Sequence, residues 1–196
     1  MEKTSFTPEE SLLLITKTIE ETKERFKENG HILILWGCLI FIVISSQYVL
    51  SLVGLYKKID IAWTNILYSI GVIYTIIYSR RENKKNNPKT VLSNAVGIMG
   101  WVVGLNFFIL AVFFGNQLGS ALAPIFLILF AFFLIMIGVL IKFKPIAIGG
   151  LLSNLIGFAA FLVHPDYYGF SLMLGAVVGF IIPGILLNNA RRNENV

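Results

Sequence analysis

The chain has 196 residues, 56% of them hydrophobic and only 14% charged, with a formal net charge of +5. A soluble domain carries about 25% charged residues, and the apolar residues here come in long blocks, so the composition excludes an ordinary soluble domain and reads as an integral membrane protein. A single cysteine, Cys38, excludes an internal disulfide, a CxxC redox pair and a cysteine-rich metal site.

The first thirty residues are charged and patterned as a helix. Thr7 is placed to cap, Pro8 takes the first helical position, and Glu10 at the third completes a capping-box pattern. Glu9 and Glu10 lead while Lys23, Arg25 and Lys27 trail, which suits the helix dipole. Asn29-Gly30 reads as a left-handed stop. Leu12, Ile15, Ile19 and Phe26 fall on one stripe at helical spacing, and these four residues are the candidates for docking a protein partner. The polar face holds more acidic than basic residues, unlike a helix drawn to anionic lipid. No secretory signal is expected, because no short apolar core with a small-residue cleavage site occurs here.

Six apolar blocks follow, at 32–56, 61–79, 91–114, 118–141, 146–163 and 170–187. About 20 mostly apolar residues cross a bilayer as a helix, so six spans are expected, and their succession allows three hairpins. Six spans put both termini on one side. That side would hold fourteen of the sixteen basic residues, leaving only Lys57 and Lys58 opposite. The basic side is expected to be cytoplasmic. This distribution explains the net positive charge without a nucleic-acid partner, for which no binding motif is present.

Within the blocks two kinds of residue stand out. Gly97, Gly100 and Gly104 in the third, Gly157 in the fifth, and Gly175 and Gly179 in the sixth form small-residue stripes. Lipid tails are as apolar as leucine, so helices associate where small residues let backbones approach. These six glycines are the candidate packing seam. Amides and hydroxyls need partners in hydrocarbon. Asn65, Ser93, Asn94, Asn106, Ser153 and Asn154 therefore read either as interhelical hydrogen bonds or as the lining of a polar pocket. "LSNAVG" at 92–97 and "LSNLIG" at 152–157 repeat one design at a sixty-residue interval, although the second would lie deeper in its span.

Reactive chemistry has little to work with. Cys38, His31, His164, Asp166 and Ser171 are the side chains worth testing, and none is spaced as a catalytic pair. No HExxH, paired carboxylates or phosphate loop occurs. The blocks hold no ionisable residue of the kind that ion-coupled carriers use. No enzyme, metal or cofactor is expected.

"TPEESLLLI", "FKENGHILILWG" and "GFIIPGILLNN", in that order, resemble an uncharacterised family of small bacterial six-span inner-membrane proteins. The likeness spans essentially the whole chain and rests on the acidic-capped first helix, the Trp36-Gly37 pair and the Ile182-Pro183-Gly184 ending. It implies a topology and a bacterial inner membrane, and no activity.

The reading is an all-α polytopic membrane protein. A cytoplasmic amphipathic helix would occupy 1–30, a six-helix transmembrane domain 31–188, and a short polar cytoplasmic tail 189–196. Its expected partners are the bilayer and either another protein or a second copy, met through the N-terminal helix or the seams. Two functions stay open: a non-enzymatic scaffold, sensor or self-associating subunit, and a small channel or carrier for a neutral or zwitterionic solute.

Overall fold

The computed structural model of the chain describes residues 7–28, 30–52, 56–85 and 91–194; within those ranges the side chains at 18, 20–28, 51–52, 56–62, 65, 79, 82–85, 91–93 and 191–194 are left aside. Among the described residues every regular element is helical: α1 (Pro8–Glu28), α2 (Gly30–Leu52), α3 (Tyr56–Lys85), α4 (Val91–Leu118), α5 (Leu122–Leu140), α6 (Lys144–Ala160), α7 (Tyr168–Ala176) and α8 (Ile182–Glu194). Three runs are long and apolar enough to cross a membrane, Gly30–Leu50, Asn94–Leu140 and Pro165–Ala190; Ile66–Tyr78 and Lys144–Ala160 are apolar but shorter. The described chain is thus all-helical, with the long apolar helices that a membrane protein needs.

The capping box at the start of α1 forms in both directions. Thr7 N–H donates to Glu10 Oε2 at 2.9 Å, and Glu10 N–H donates to Thr7 Oγ1 at 3.2 Å, so two otherwise orphaned amides are satisfied. At the other end of α1, Asn29 of the expected Asn29-Gly30 stop lies outside the described residues. Gly30 is not a left-handed stop; the only glycine with positive φ among the described residues is Gly119. Gly30 begins α2, and a Cβ there would lie 2.6 Å from Asn188 Oδ1 and 3.2 Å from the Gly184 carbonyl. Its smallness serves an approach to α8 rather than a change of backbone hand.

The α2–α3, α4–α5 and α5–α6 pairs run antiparallel. In the α2–α3 pair, His31 packs on Tyr78, Trp36 Nε1 donates to Thr75 Oγ1 at 3.2 Å, and Gln47 Nε2 reaches Thr64 Oγ1 at 3.4 Å. The chain between α4 and α5 reverses through a 3-10 turn at Gly119–Ala121, with Gly119 at φ +52°. Phe107 then packs on Phe126 and Phe130, with ring centroids 4.1 and 4.3 Å apart.

The α5–α6 hairpin is the tightest. Lys142 sits at φ 53°, Phe143 N–H donates to the Gly138 carbonyl at 2.9 Å, and Lys142 N–H donates to the Val139 carbonyl at 3.2 Å. This is a Schellman ending with lysine where glycine is usual. Phe143 folds back onto the core beside it, and Lys144-Pro145 starts the next helix with proline in its first turn.

Between α7 and α8 the helix is continuous but widens into a π turn at Val177–Ile181, where Ile182 N–H bonds back to the Val177 carbonyl. Pro183 explains the widening. Its nitrogen has no hydrogen, and its ring would strike the carbonyl four residues earlier in a regular helix. Gly149 on α6 makes room for that ring: a Cβ there would lie 2.7 Å from Pro183 Cγ.

The core lies between α2, α5, α6 and α7–α8. Leu33, Leu134, Ile137, Ile141, Ile146, Phe180 and Leu187 form one buried cluster. It joins the start of α2, the α5–α6 turn and the end of α8 at one end of the bundle. A second cluster, with Ile40, Ile44, Leu127, Leu172 and Ala176, fills the other half. The Gly119–Ala121 and Pro165–Tyr167 turns meet at the far end.

Candidate functional site

The glycines of the sixth block face inward. A Cβ on Gly175 would collide with the Leu127 methyls, and one on Gly179 would collide with Ser153 Oγ. Gly157 on α6 is closed by α5, with Ile128 Cγ1 2.7 Å from where a Cβ would stand. Gly150 meets the Ala131 carbonyl in the same way, at 3.0 Å. Backbone therefore approaches backbone along the inner face of α6, as van der Waals association in lipid requires.

Ser153 sits in the middle of this seam, 0% exposed. Its hydroxyl donates to the Gly175 carbonyl at 3.1 Å. The hydroxyl thus has a partner on α7, two residues before the helix widens. Asn154, the next residue, is half-buried at the rim of the same face.

The third block is built differently. A Cβ added to Gly97 or Gly104 on α4 would meet nothing within 4 Å, and one on Gly100 would meet only the Phe133 ring, at 3.5 Å. Asn94 is exposed on the same helix. Asn106 is exposed too, its Nδ2 donating to the Val102 carbonyl of its own helix at 2.8 Å. Asn65 lies in α3 and Ser93 in α4, their side chains outside the described ones. The four polar residues whose side chains are described are thus not convergent: Ser153 closes a seam, Asn154 borders it, and Asn94 and Asn106 point away from the bundle. The two clearest surface depressions are lined by Glu9, Leu12, Leu13, Thr16 and Lys17, and by Ser46, Val49, Leu50 and Trp63. Neither includes any of the six.

On α1, Leu12 and Ile15 are exposed together with Leu13 and Leu14, and Ile19 is half-buried; Phe26 is in the helix with its side chain outside the described ones.

His164 and Asp166 share a surface turn at the far end. His164 Nδ1 stands 3.2 Å from Asp166 Oδ2 and 3.5 Å from the Asp166 N–H, while Tyr48 Oη donates to the Asp166 carbonyl at 2.9 Å. Tyr48 thereby ties the turn to α2. Cys38 is exposed on α2, far from this turn. Among the described residues no three His, Cys, Asp or Glu side chains come together.

Two short motifs act on two sides at once. Trp36 bonds α3 while Gly37, about a quarter turn round α2, lies against Ile181 and Phe180. Pro183 turns toward Gly149 on α6, and Gly184 toward Ile34 and the Gly30 carbonyl on α2. Comparison with known proteins adds nothing to this geometry: no family model, curated protein or solved structure matches the chain.

Proposed function

We propose that the chain crosses a bacterial inner membrane six times with both termini in the cytoplasm. On this reading it acts without catalysis, as a self-associating subunit or as a scaffold or sensor for another protein. The 47-residue run Asn94–Leu140 turns back on itself at Gly119, so it supplies two crossings. The 17 residues of α6 reach about 26 Å at 1.5 Å per residue, close to the ~30 Å hydrocarbon core, and α3 is longer still. Arg80 and Arg81 lie near the end of α3, and Lys142 and Lys144 lie at the α5–α6 turn, at the bundle end where α1 contacts α8. Basic residues resist translocation, which favours that end for the cytoplasm.

The observation that carries the functional reading is the outward placement of Asn94 and Asn106 on α4. A channel or carrier for a neutral solute would gather such amides around a shared path. Here they are on the bundle surface, where a neighbouring protein can bond them, and the best-buried hydroxyl, Ser153, is already bonded to backbone.

Proteoliposomes holding donor- and acceptor-labelled copies test the proposal. Energy transfer that rises with protein density in the membrane is expected, or failing that a stoichiometric co-purifying protein. Monomers at high density with no co-purifying protein, together with neutral-solute flux lost in Asn94→Leu/Asn154→Leu, would overturn it in favour of the carrier.

A further inference from the structure

Asn106 has no evident reason to face outward in a protein that lives alone in lipid. It is the sixteenth of the 28 residues of α4. Whichever 20-residue stretch of α4 crosses the hydrocarbon, Asn106 lies at least four residues, about 6 Å, inside it. Its Nδ2 donates to the Val102 carbonyl, and no other bond of its amide occurs among the described residues. One N–H and the Oδ1 lone pairs therefore face hydrocarbon, which offers them nothing.

The surroundings of Asn106 form a stripe. Met99, Val102, Asn106, Ile109 and Phe113 recur at alternating steps of three and four, the 3.5-residue period of a helix pair. Val102 is 52%, Ile109 38% and Phe113 69% exposed. On the helical wheel Gly97 and Gly104 fall about half a turn away from Asn106, and the α5 contacts at Gly100 and Phe107 lie on neither face.

We infer that this stripe of α4 pairs with the same stripe of a second copy, Asn106 against Asn106. The inference rests on the self-association reading above and names its interface. Depth selects the occupant. Copies inserted with one topology are related by a two-fold axis along the membrane normal, which keeps every residue at its own depth and makes the contact isologous. The group certain to lie opposite Asn106 is then the partner's Asn106 amide, which carries both the donor and the acceptor its mate lacks. Val102, Ile109 and Phe113 supply the packing around the pair. A single asparagine in an apolar stripe of this period fixes register and favours two helices. Trp36, Gln47, Thr75 and Ser153, also polar and within the spans, are bonded within the chain, and Asn154 is half-buried on α6 rather than set in an exposed stripe.

The test uses the full chain with Cys38→Ser, in native membranes. Val102→Cys is expected to cross-link to a dimer with copper phenanthroline, whereas Trp101→Cys, one position away and off the stripe, is not. Adding Asn106→Leu to Val102→Cys should remove the cross-link, and Asn106→Leu alone should weaken association between copies in liposomes, read by energy transfer over a range of protein densities, roughly tenfold. Asn106→Gln, which keeps the amide, should restore it. Association that persists unchanged in Asn106→Leu, with Trp101→Cys linking as well as Val102→Cys, would overturn this interface and leave self-association standing. Monomeric wild-type protein would overturn both.

Discussion

Gly138 and Gly104 are both glycines inside apolar helices, yet their surroundings are opposite. A Cβ at Gly138 would run into the backbone nitrogen and Cα of Ala147, whereas at Gly104 it would meet nothing within 4 Å. Backbone cannot swing aside as a side-chain tip can. Gly138→Ala is therefore expected to destabilise by about 1–3 kcal/mol through overpacking. Gly104→Ala should be neutral or stabilise by up to about 1 kcal/mol through helix propensity. Thermal unfolding of the two variants in one detergent checks both, and equal melting temperatures would contradict the placement of the α5–α6 hairpin. The sequence places Gly104 in a small-residue stripe and gives no such sign at Gly138; what it does not carry is the identity of the opposing surface. The same limit applies to the two LSN stretches. Ser153 lies in a closed seam while Asn94 lies at the exposed start of α4, so equal spelling at a sixty-residue interval does not produce equal environments.

At the scale of single elements, short-range chemistry is the most readable. Thr7, Pro8 and Glu10 lie within four positions, and the capping box they spell forms as expected. Thr7→Ala should cost the first turn of α1 about 1 kcal/mol, seen as faster hydrogen exchange at Glu10 and Ser11 with no change in the exchange of α5. Unchanged exchange at those amides would mean that α1 is held by its neighbours and not by its cap. Where a residue acts against its usual preference, the pattern misleads. Lys142 takes the left-handed position that glycine would normally occupy, because Phe143 must return to the core within one residue. Gly30 has the spelling of such a stop and serves close packing instead. The π turn has a sequence signal in Pro183, but its depth and the matching space at Gly149 are properties of the α6–α8 contact.

For the whole molecule, run length carries most of what was legible. Apolar runs are visible because a bilayer demands them. The contact of α2 with α7 and α8 joins segments more than a hundred residues apart through Gly37, Gly184 and Tyr48, and nothing local announces it. The central claim is that the turns at Gly119–Ala121 and Pro165–Tyr167 lie on one side of the membrane, and the α5–α6 turn and both termini on the other. Single cysteines placed at Glu9, Ser120, Lys142, Asp166 and Asn193 in a Cys38→Ser background, labelled with an impermeant maleimide on right-side-out spheroplasts, test it directly. Ser120→Cys and Asp166→Cys should label at once, and Glu9→Cys, Lys142→Cys and Asn193→Cys only after the membrane is opened. Labelling of Lys142→Cys from outside, or protection of Ser120→Cys, would contradict the six-span arrangement.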